Sequence, residues 1–276
     1  MKIDAHQHFW QFNPQKDTWI TNEMTVLKSD FFPKDLEPLL EQHLFDGCVA
    51  VQAGTSEKET LFLLHLAEKN PFIKGVVGWL DLCDKNIQER LHHFSTYKKL
   101  KGLRHIVQAE PNGFMLRKDF QRGILALEKH NLTYDILIFP HQLEEAIELV
   151  CKFPNQKFIL DHCAKPYIKD KKITVWKNHI EKLASFKNVV CKVSGLSTEA
   201  NWNTWKKETI KPYLEVVFNA FGTNRTIFGS DWPVSLLTGN YSKIVNLIED
   251  YILQFSKTEQ QQIMGLNAQE WYSLDN

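Results

Sequence analysis

The stretch Met1-Lys2-Ile3-Asp4-Ala5-His6-Gln7-His8-Phe9-Trp10 opens the chain, and its apolar residues predict a β-strand over residues 2–8. Residues at i and i+2 of a strand project from the same face, so His6 and His8 can direct two imidazoles at one point. Near the other end of the chain, a second short apolar run leads into Gly229-Ser230-Asp231-Trp232-Pro233. The Asp231 carboxylate can meet the two imidazoles only if the first and last strands lie side by side, which favours a sheet that closes on itself.

Between these two ends, the sequence alternates between short apolar segments and stretches with helical periodicity. The apolar segments cover residues 47–53, 73–80, 102–107, 133–139, 157–162 and 188–194, and the last strand covers residues 225–231. Their nearly continuous hydrophobicity is typical of parallel strands that are covered on both faces. Eight such units in 276 residues predict a single-domain (β/α)8 TIM-like barrel over residues 1–276, with a doubly wound open sheet as the alternative.

The first connection, residues 9–46, is the longest, and it is rich in aromatic residues and prolines. A loop of this length after the first strand is expected to lie over the barrel mouth. Two interpretations stay open: a mobile lid, or a packed excursion anchored by Trp10 and Trp19. Helical periodicity predicts helices around residues 36–43, 57–70, 143–153, 241–255 and 258–271.

Charge and cysteine content restrict the class of protein. The 33 Lys and Arg residues balance 33 Asp and Glu residues, so there is no basic excess that would indicate a nucleic acid or an anionic membrane as partner. A small neutral or mildly polar substrate is expected instead. The five cysteines form no C-x-x-C pair, and no apolar run approaches 18 residues. We therefore expect a reduced, cytoplasmic protein without a membrane span, in which Cys163 is a buried filler rather than a nucleophile. A monomer or homodimer is expected as well.

Active sites of (β/α)8 barrels collect at the C-terminal ends of the strands, and the predicted strands end in polar groups. Buried polar groups cost free energy unless they are paired, so folding alone does not explain this pattern. Structural alternatives stay open for three of them. Asp135 can simply neutralise a neighbouring Arg or Lys, and Arg104 and Lys192 can point outward into the helix layer. The strand-end groups are His6, His8, Trp10, Gln52, Trp79, Asp81, Arg104, His105, Gln108, Asp135, His141, Asp161, His162, Lys165, Lys192, Ser194, Ser230, Asp231 and Trp232.

Five motifs together resemble the amidohydrolase superfamily, and more narrowly its amidohydrolase-2 branch of sugar-acid lactonases. That branch includes fuconolactonases and rhamnonolactonases and is related to 2-pyrone-4,6-dicarboxylate hydrolase. The resemblance extends over the whole chain. The motifs are Asp4-Ala5-His6-Gln7-His8, Gly102-Leu103-Arg104-His105, Asp161-His162-Cys163-Ala164-Lys165-Pro166, Lys192-Val193-Ser194-Gly195-Leu196 and Phe228-Gly229-Ser230-Asp231-Trp232-Pro233.

The resemblance implies a hydrolase that opens a sugar-acid lactone, such as L-fuconolactone or L-rhamnonolactone. It implies that Asp231 accepts a proton from the attacking water and that His162 polarises the scissile carbonyl or orients the water. His105 is expected to assist catalysis as a hydrogen-bond donor. The expected substrate-binding residues are Trp10, Gln52, Trp79, Arg104, Lys165 and Trp232.

The sequence departs from metal-dependent members of the superfamily at two strand ends. It has Ile138-Phe139-Pro140 where another histidine is expected, and Arg104-His105 where many binuclear members have a bridging lysine. His6, His8 and Asp231 can hold one zinc in an open three-ligand site, or they can act without metal as donors and base. We expect that no cofactor is required. This departure disfavours a metal-dependent amidohydrolase or decarboxylase, and the intact polar set disfavours a catalytically silent binding barrel.

Overall fold

A computed structural model describes residues 1–275 and shows eight parallel strands in the order of the chain. All eight predicted strand segments are confirmed. Seven of them are two to four residues shorter than predicted, and the segment predicted at residues 102–107 is shifted by two residues. The strands are β1 Ile3–Gln7, β2 Gly47–Val51, β3 Ile73–Gly78, β4 Leu100–His105, β5 Thr133–Ile136, β6 Phe158–Leu160, β7 Val189–Val193 and β8 Thr226–Phe228.

Helices follow the strands and form the outer layer. The helices predicted around residues 36–43, 57–70, 143–153 and 241–255 are confirmed. The helices are α1 Pro33–Gln42, α2 Glu57–Lys69, α3 Ile87–Phe94, α4 Lys118–Glu128, α5 Leu143–Lys152, α6 Thr174–Ala184, α7 Lys207–Phe221, α8 Tyr241–Ile252, α9 Lys257–Gln261 and α10 Asn267–Trp271. None of the helices in residues 1–275 is long and apolar enough to cross a membrane.

Contacts between β1 and the segment after β8 close the sheet into a barrel. The His8 backbone N–H donates to the Trp232 carbonyl at 2.7 Å, and the Asp231 N–H donates to the His6 carbonyl at 2.8 Å. Asp4 adds a side-chain link, because its Oδ1 accepts from the Ser230 N–H at 2.9 Å. The (β/α)8 barrel is therefore confirmed, and the open doubly wound sheet is excluded.

A register shift in β1 lets both histidines face the barrel interior. Ile3 and Ala5 pack with side chains of the other strands in the interior core. Strict alternation would place His6 and His8 on the opposite face, but the pairing with β2 shifts between Asp4 and Gln7. An irregularity of this kind redirects the side chains that follow it.

The predicted helix over residues 258–271 is the one that the structure corrects. A π-helical turn over Gln262–Leu266 separates α9 from α10. At this turn Gly265 packs directly against the backbone of Met1 and Lys2, where a Cβ atom would collide with the Met1 carbonyl oxygen. The helix is therefore interrupted at the point where Gly265 packs against the first two residues.

The long loop after β1 lies over the barrel mouth, as predicted. Trp10 is buried and packs edge-on against Trp19 and Phe31, and its Nε1 donates to the Ser29 carbonyl at 3.0 Å. Trp19 and Met24 from the same loop reach the cavity at the mouth. The loop is thus packed against the barrel through Trp10. That the loop opens and closes over the cavity as a lid stays a prediction.

Candidate active site

Three side chains from the two ends of the chain converge at the barrel mouth. The Nε2 atoms of His6 and His8 lie 3.2 Å apart. Asp231 Oδ1 lies 3.8 Å from Nε2 of His6 and 3.4 Å from Nε2 of His8. The predicted juxtaposition of His6, His8 and Asp231 is therefore present.

Hydrogen-bond partners hold both imidazoles in place. Nδ1 of His8 lies 2.8 Å from the Val51 carbonyl, which can only accept, so this nitrogen donates. Nε2 of His6 lies 3.3 Å from Nη1 of Arg104, and its Nδ1 lies 3.3 Å from Asp161 Oδ1 and 3.2 Å from Lys192 Nζ. Both rings direct their Nε2 atoms toward Asp231.

His162 reaches the same point through an unusual backbone turn. Four consecutive residues, His162 to Lys165, have positive φ angles between 48° and 57°, and none of them is glycine. Each such residue costs about 1–2 kcal/mol relative to a right-handed conformation. The turn brings Nε2 of His162 to 4.0 Å from Asp231 Oδ1, while Ser194 Oγ lies 2.9 Å from Nδ1. Backbone strain of this kind concentrates at functional sites.

Burial and mutual attraction set the charge states of these groups. Burial lowers the pKa of His162 to about 4, and it also holds the pKa of His6 well below its usual range. For Asp231, burial alone would raise the pKa, but the attraction of His162, His8 and His6 holds it below the usual range of a carboxyl. At neutral pH the site therefore combines an ionised Asp231 with neutral His6 and His162.

A buried ion network lies directly beneath this site. Lys192 Nζ bonds Asp135 at 2.9 Å and Asp161 at 2.8 Å, and it contacts Nδ1 of His6 at 3.2 Å. It also bonds the hydroxyl of Tyr272, from the C-terminal segment, at 2.8 Å. Asp135 thus neutralises Lys192, which is the structural alternative that the sequence left open for Asp135.

Arg104 and Lys192 both point into the barrel, so the alternative that placed them in the helix layer is wrong. Arg104 is 4% exposed and donates to Asp161 Oδ2 at 3.0 Å and to the Gln52 carbonyl. Two buried aspartates attract both cations inward, and this attraction offsets the cost of leaving water.

A cavity of about 950 Å³ opens above the cluster. Seven residues proposed from the sequence for the site line it, whereas four do not. Gln52 and Trp232 are buried behind its wall, Trp10 borders a separate cavity under the loop after β1, and His6 lies beneath the floor. The seven lining residues are His8, Trp79, Arg104, His105, His162, Lys165 and Asp231.

His105 lies in the wall with both ring nitrogens engaged. Its Nδ1 accepts from Nε1 of Trp79 at 3.3 Å, and its Nε2 donates to Glu110 at 2.8 Å. The ring stacks on Phe114 with 4.7 Å between centroids. A catalytic role for His105 therefore requires one of these hydrogen bonds to be exchanged for a bond to substrate.

Several cavity residues were not found from the sequence, notably Glu199 and Trp202 in the loop after β7, and Glu110 and Phe114 in the loop after β4. Strand-end position was the signal that identified the others, and it does not extend into long loops. The aromatic and acidic composition of residues 198–205 was the one hint available.

The donor set fits a divalent cation. The separations among Nε2 of His6, Nε2 of His8 and Asp231 Oδ1 are 3.2, 3.4 and 3.8 Å. Tetrahedral zinc with ligand bonds of 2.0–2.1 Å requires ligand separations of about 3.3 Å. Imidazole nitrogens and carboxylate oxygens are also the ligand atoms that zinc takes in proteins. His6, His8 and Asp231 can therefore hold one metal ion.

A parallel barrel with imidazoles and a carboxylate converging at the C-terminal ends of its strands is the arrangement of a barrel enzyme. A sequence model of the amidohydrolase family matches residues 3–274, so the chain belongs to this family. The resemblance inferred from the five motifs is thus confirmed.

Individual relatives are similar over nearly the whole chain. L-fucono-1,5-lactonase of Burkholderia multivorans is 35% identical, with 99% of this chain and 96% of the relative covered. L-rhamnono-gamma-lactonase of Scheffersomyces stipitis is 27% identical, over 81% of this chain and 73% of the relative. The crystal structure of a Burkholderia multivorans amidohydrolase with bound zinc is 35% identical and superimposes with a TM-score of 0.97, each chain being covered completely. These similarities show that the chain is a hydrolase.

Proposed function

We propose that this protein hydrolyses the lactone ring of a sugar acid, with L-fucono-1,5-lactone or a close stereoisomer as substrate. The observation that carries the proposal is the convergence of Asp231 and His162 on the floor of a cavity with tryptophan side chains in its wall. Full-length similarity to an L-fucono-1,5-lactonase supports the choice of substrate. Tryptophan faces suit the apolar side of a sugar ring.

In the proposed reaction, Asp231 acts as the base. Water adds to the lactone carbonyl carbon, and its proton passes to Asp231. With Ser194 donating to Nδ1 of His162, the Nε2–H of His162 donates to the carbonyl oxygen as negative charge develops there. The bond between the carbonyl carbon and the ring oxygen then breaks, and the leaving oxygen takes the proton from Asp231. Asp231 thereby returns the proton that it took from the attacking water.

A metal ion at His6, His8 and Asp231 would supply Lewis acidity and lower the pKa of water. The chain's own charges disfavour tight binding, because the Arg104 guanidinium already lies 3.3 Å from the nitrogen of His6 that would be a ligand. A cation at Asp231 would also compete for the carboxylate that serves as base. We therefore propose that the site can accept a divalent cation and that lactone hydrolysis does not require it.

The test is a panel of aldonolactones assayed by acid release with a pH indicator. We expect hydrolysis of 1,5-lactones of the fuconate type, with the variants described below as controls for the site. If the purified protein hydrolysed no sugar lactone but released carbon dioxide from an aromatic acid or cleaved an amide, the proposal would be wrong. Cytoplasmic location, a monomer or homodimer, and the absence of nucleic-acid and membrane partners stay predictions.

A further inference from the structure

The loop between β7 and α7 carries a carboxylate that the proposed reaction does not use. Glu199 lines the cavity beside Lys165, Thr198 and Trp202. Its side chain is 19% exposed, and Lys165 Nζ lies 3.8 Å from its Oε1. This separation exceeds a hydrogen-bond length, so the carboxylate can still accept hydrogen bonds from a ligand in the cavity.

The backbone around Glu199 is held in place from three directions. Thr198 Oγ1 donates to the Gly195 carbonyl at 2.5 Å, and the Lys169 N–H donates to the Glu199 carbonyl at 3.0 Å. Trp202 Nε1 donates to the Thr198 carbonyl at 2.9 Å. The Glu199 backbone is therefore preorganised, so little backbone entropy is lost when the side chain binds a ligand.

The chemistry of this wall suits a neutral polyol. Lys165 donates hydrogen bonds and Glu199 accepts them, whereas a hydroxyl group can do both, so adjacent hydroxyls of one sugar ring can engage the pair. The Nε1 of Trp202 is already engaged, which leaves its ring face for the C–H side of the sugar. An anionic ligand gains from Lys165 but is repelled by Glu199, and such repulsion contributes to specificity.

We propose that Glu199 is a specificity-determining residue, which accepts a hydrogen bond from a ring hydroxyl of the substrate and, together with Lys165, selects a neutral, polyhydroxylated lactone. This inference rests on the proposed lactone hydrolysis. It predicts that the contribution of Glu199 depends on the hydroxyl groups of the substrate and not on its ester bond.

The test compares two six-membered lactones, L-fucono-1,5-lactone and the unsubstituted δ-valerolactone. We expect Glu199→Gln to raise KM for the hydroxylated lactone by about 10- to 100-fold, the range for hydrogen bonds to charged groups, with little change in kcat. For δ-valerolactone, kcat/KM should stay within about twofold. If its turnover is too slow, its inhibition constant against the hydroxylated lactone provides the same comparison.

Asp170→Asn is the matched control, because it removes a carboxylate from an exposed ion pair with Lys172, outside the cavity. Equal loss on both lactones, or no loss on either, would overturn the specificity role while leaving the proposed function intact. A wild-type protein that hydrolysed no sugar lactone would instead overturn the proposed function. Should Glu199→Gln unfold, Lys165→Met tests the same pair from the donor side with the same two lactones.

Discussion

At the scale of single residues, Asp231 is constrained by both its side chain and its backbone. Its carboxylate faces three imidazoles, and its backbone φ is +58°. We expect Asp231→Asn to lower kcat by at least about 10²-fold, because an amide cannot accept the proton of water. Asparagine is among the residues that tolerate positive φ, so the fold should persist. Steady-state kinetics and circular dichroism check both points, and near-normal turnover would move the base to His162.

Arg104 makes a forked set of contacts that a lysine cannot reproduce. We expect Arg104→Lys to lower kcat/KM by at least about 10-fold and stability by about 2 kcal/mol, since Asp161 and the Gln52 carbonyl lose buried donors. Arg90→Lys is the control, because Arg90 forms its fork with Glu57 at the surface. If Arg104→Lys and Arg90→Lys both changed kcat/KM and the free energy of unfolding in urea only slightly, the forked contacts of Arg104 would have no special role.

Metal removal tests whether the Arg104 guanidinium beside His6 disfavours a bound cation. We expect copurifying zinc or another divalent ion to be substoichiometric, and activity to survive exhaustive chelation largely unchanged, because Asp231 and its neighbours supply base and donors. Elemental analysis and assays before and after chelation check this. Stoichiometric metal, with activity lost on chelation and restored by zinc or manganese, would make His6 and His8 true ligands.

At the scale of secondary structure elements, the loop after β7 must approach the turn after β6 closely. Gly195 has φ +62°, and a Cβ atom there would lie 2.6 Å from Nδ1 of His162 and 3.2 Å from Asp231 Oδ2. Gly113 also has positive φ, but a Cβ atom there would meet nothing within 4 Å. The two glycines therefore separate the effect of backbone strain from the effect of crowding in the site.

We expect Gly113→Ala to destabilise the fold by about 1–2 kcal/mol, the cost of a Cβ atom in the left-handed region. Gly195→Ala should cost more, because its Cβ atom would also collide with His162. Only Gly195→Ala should lower kcat, by about 10²-fold, because a displacement of His162 of about 1 Å spoils the reacting geometry. Thermal unfolding and kinetics of both variants check this. Equal activity of the two would show that His162 has room to adjust.

The elements themselves were largely predictable from the sequence, since continuous apolar runs and helical periodicity mark them. The exception, the helix broken between α9 and α10, was not. The break arises where Gly265 meets the first residues of the chain, and such a long-range contact leaves no local pattern. The left-handed turn of His162 to Lys165 was equally hidden, because it contains no glycine and three of its four residues, Cys163, Ala164 and Lys165, rarely adopt that conformation.

At the scale of the whole molecule, the interior of the barrel is held by charges rather than by apolar side chains alone. Lys192 is fully buried and joins Asp135, Asp161 and Tyr272. We expect Lys192→Met to destabilise the fold by about 3–5 kcal/mol, because two buried carboxylates lose their cation. Lys207→Met, at an exposed pair with Asp250, should cost less than about 1 kcal/mol. Denaturant unfolding compares them, and similar losses would contradict the network.

The sequence by itself determined the barrel, its strand order and the polar strand ends that form the candidate site, because each of these leaves a local pattern of period or composition. It also identified His6, His8, His162 and Asp231 as candidates. Tertiary structure alone decided which polar groups face the cavity: Gln52 and Trp232 lie behind its wall, whereas Glu199 and Trp202 enter it from a loop. The physical reason is that orientation within a site depends on register, packing and charge pairing between distant segments, and these are not written in any one stretch of the chain.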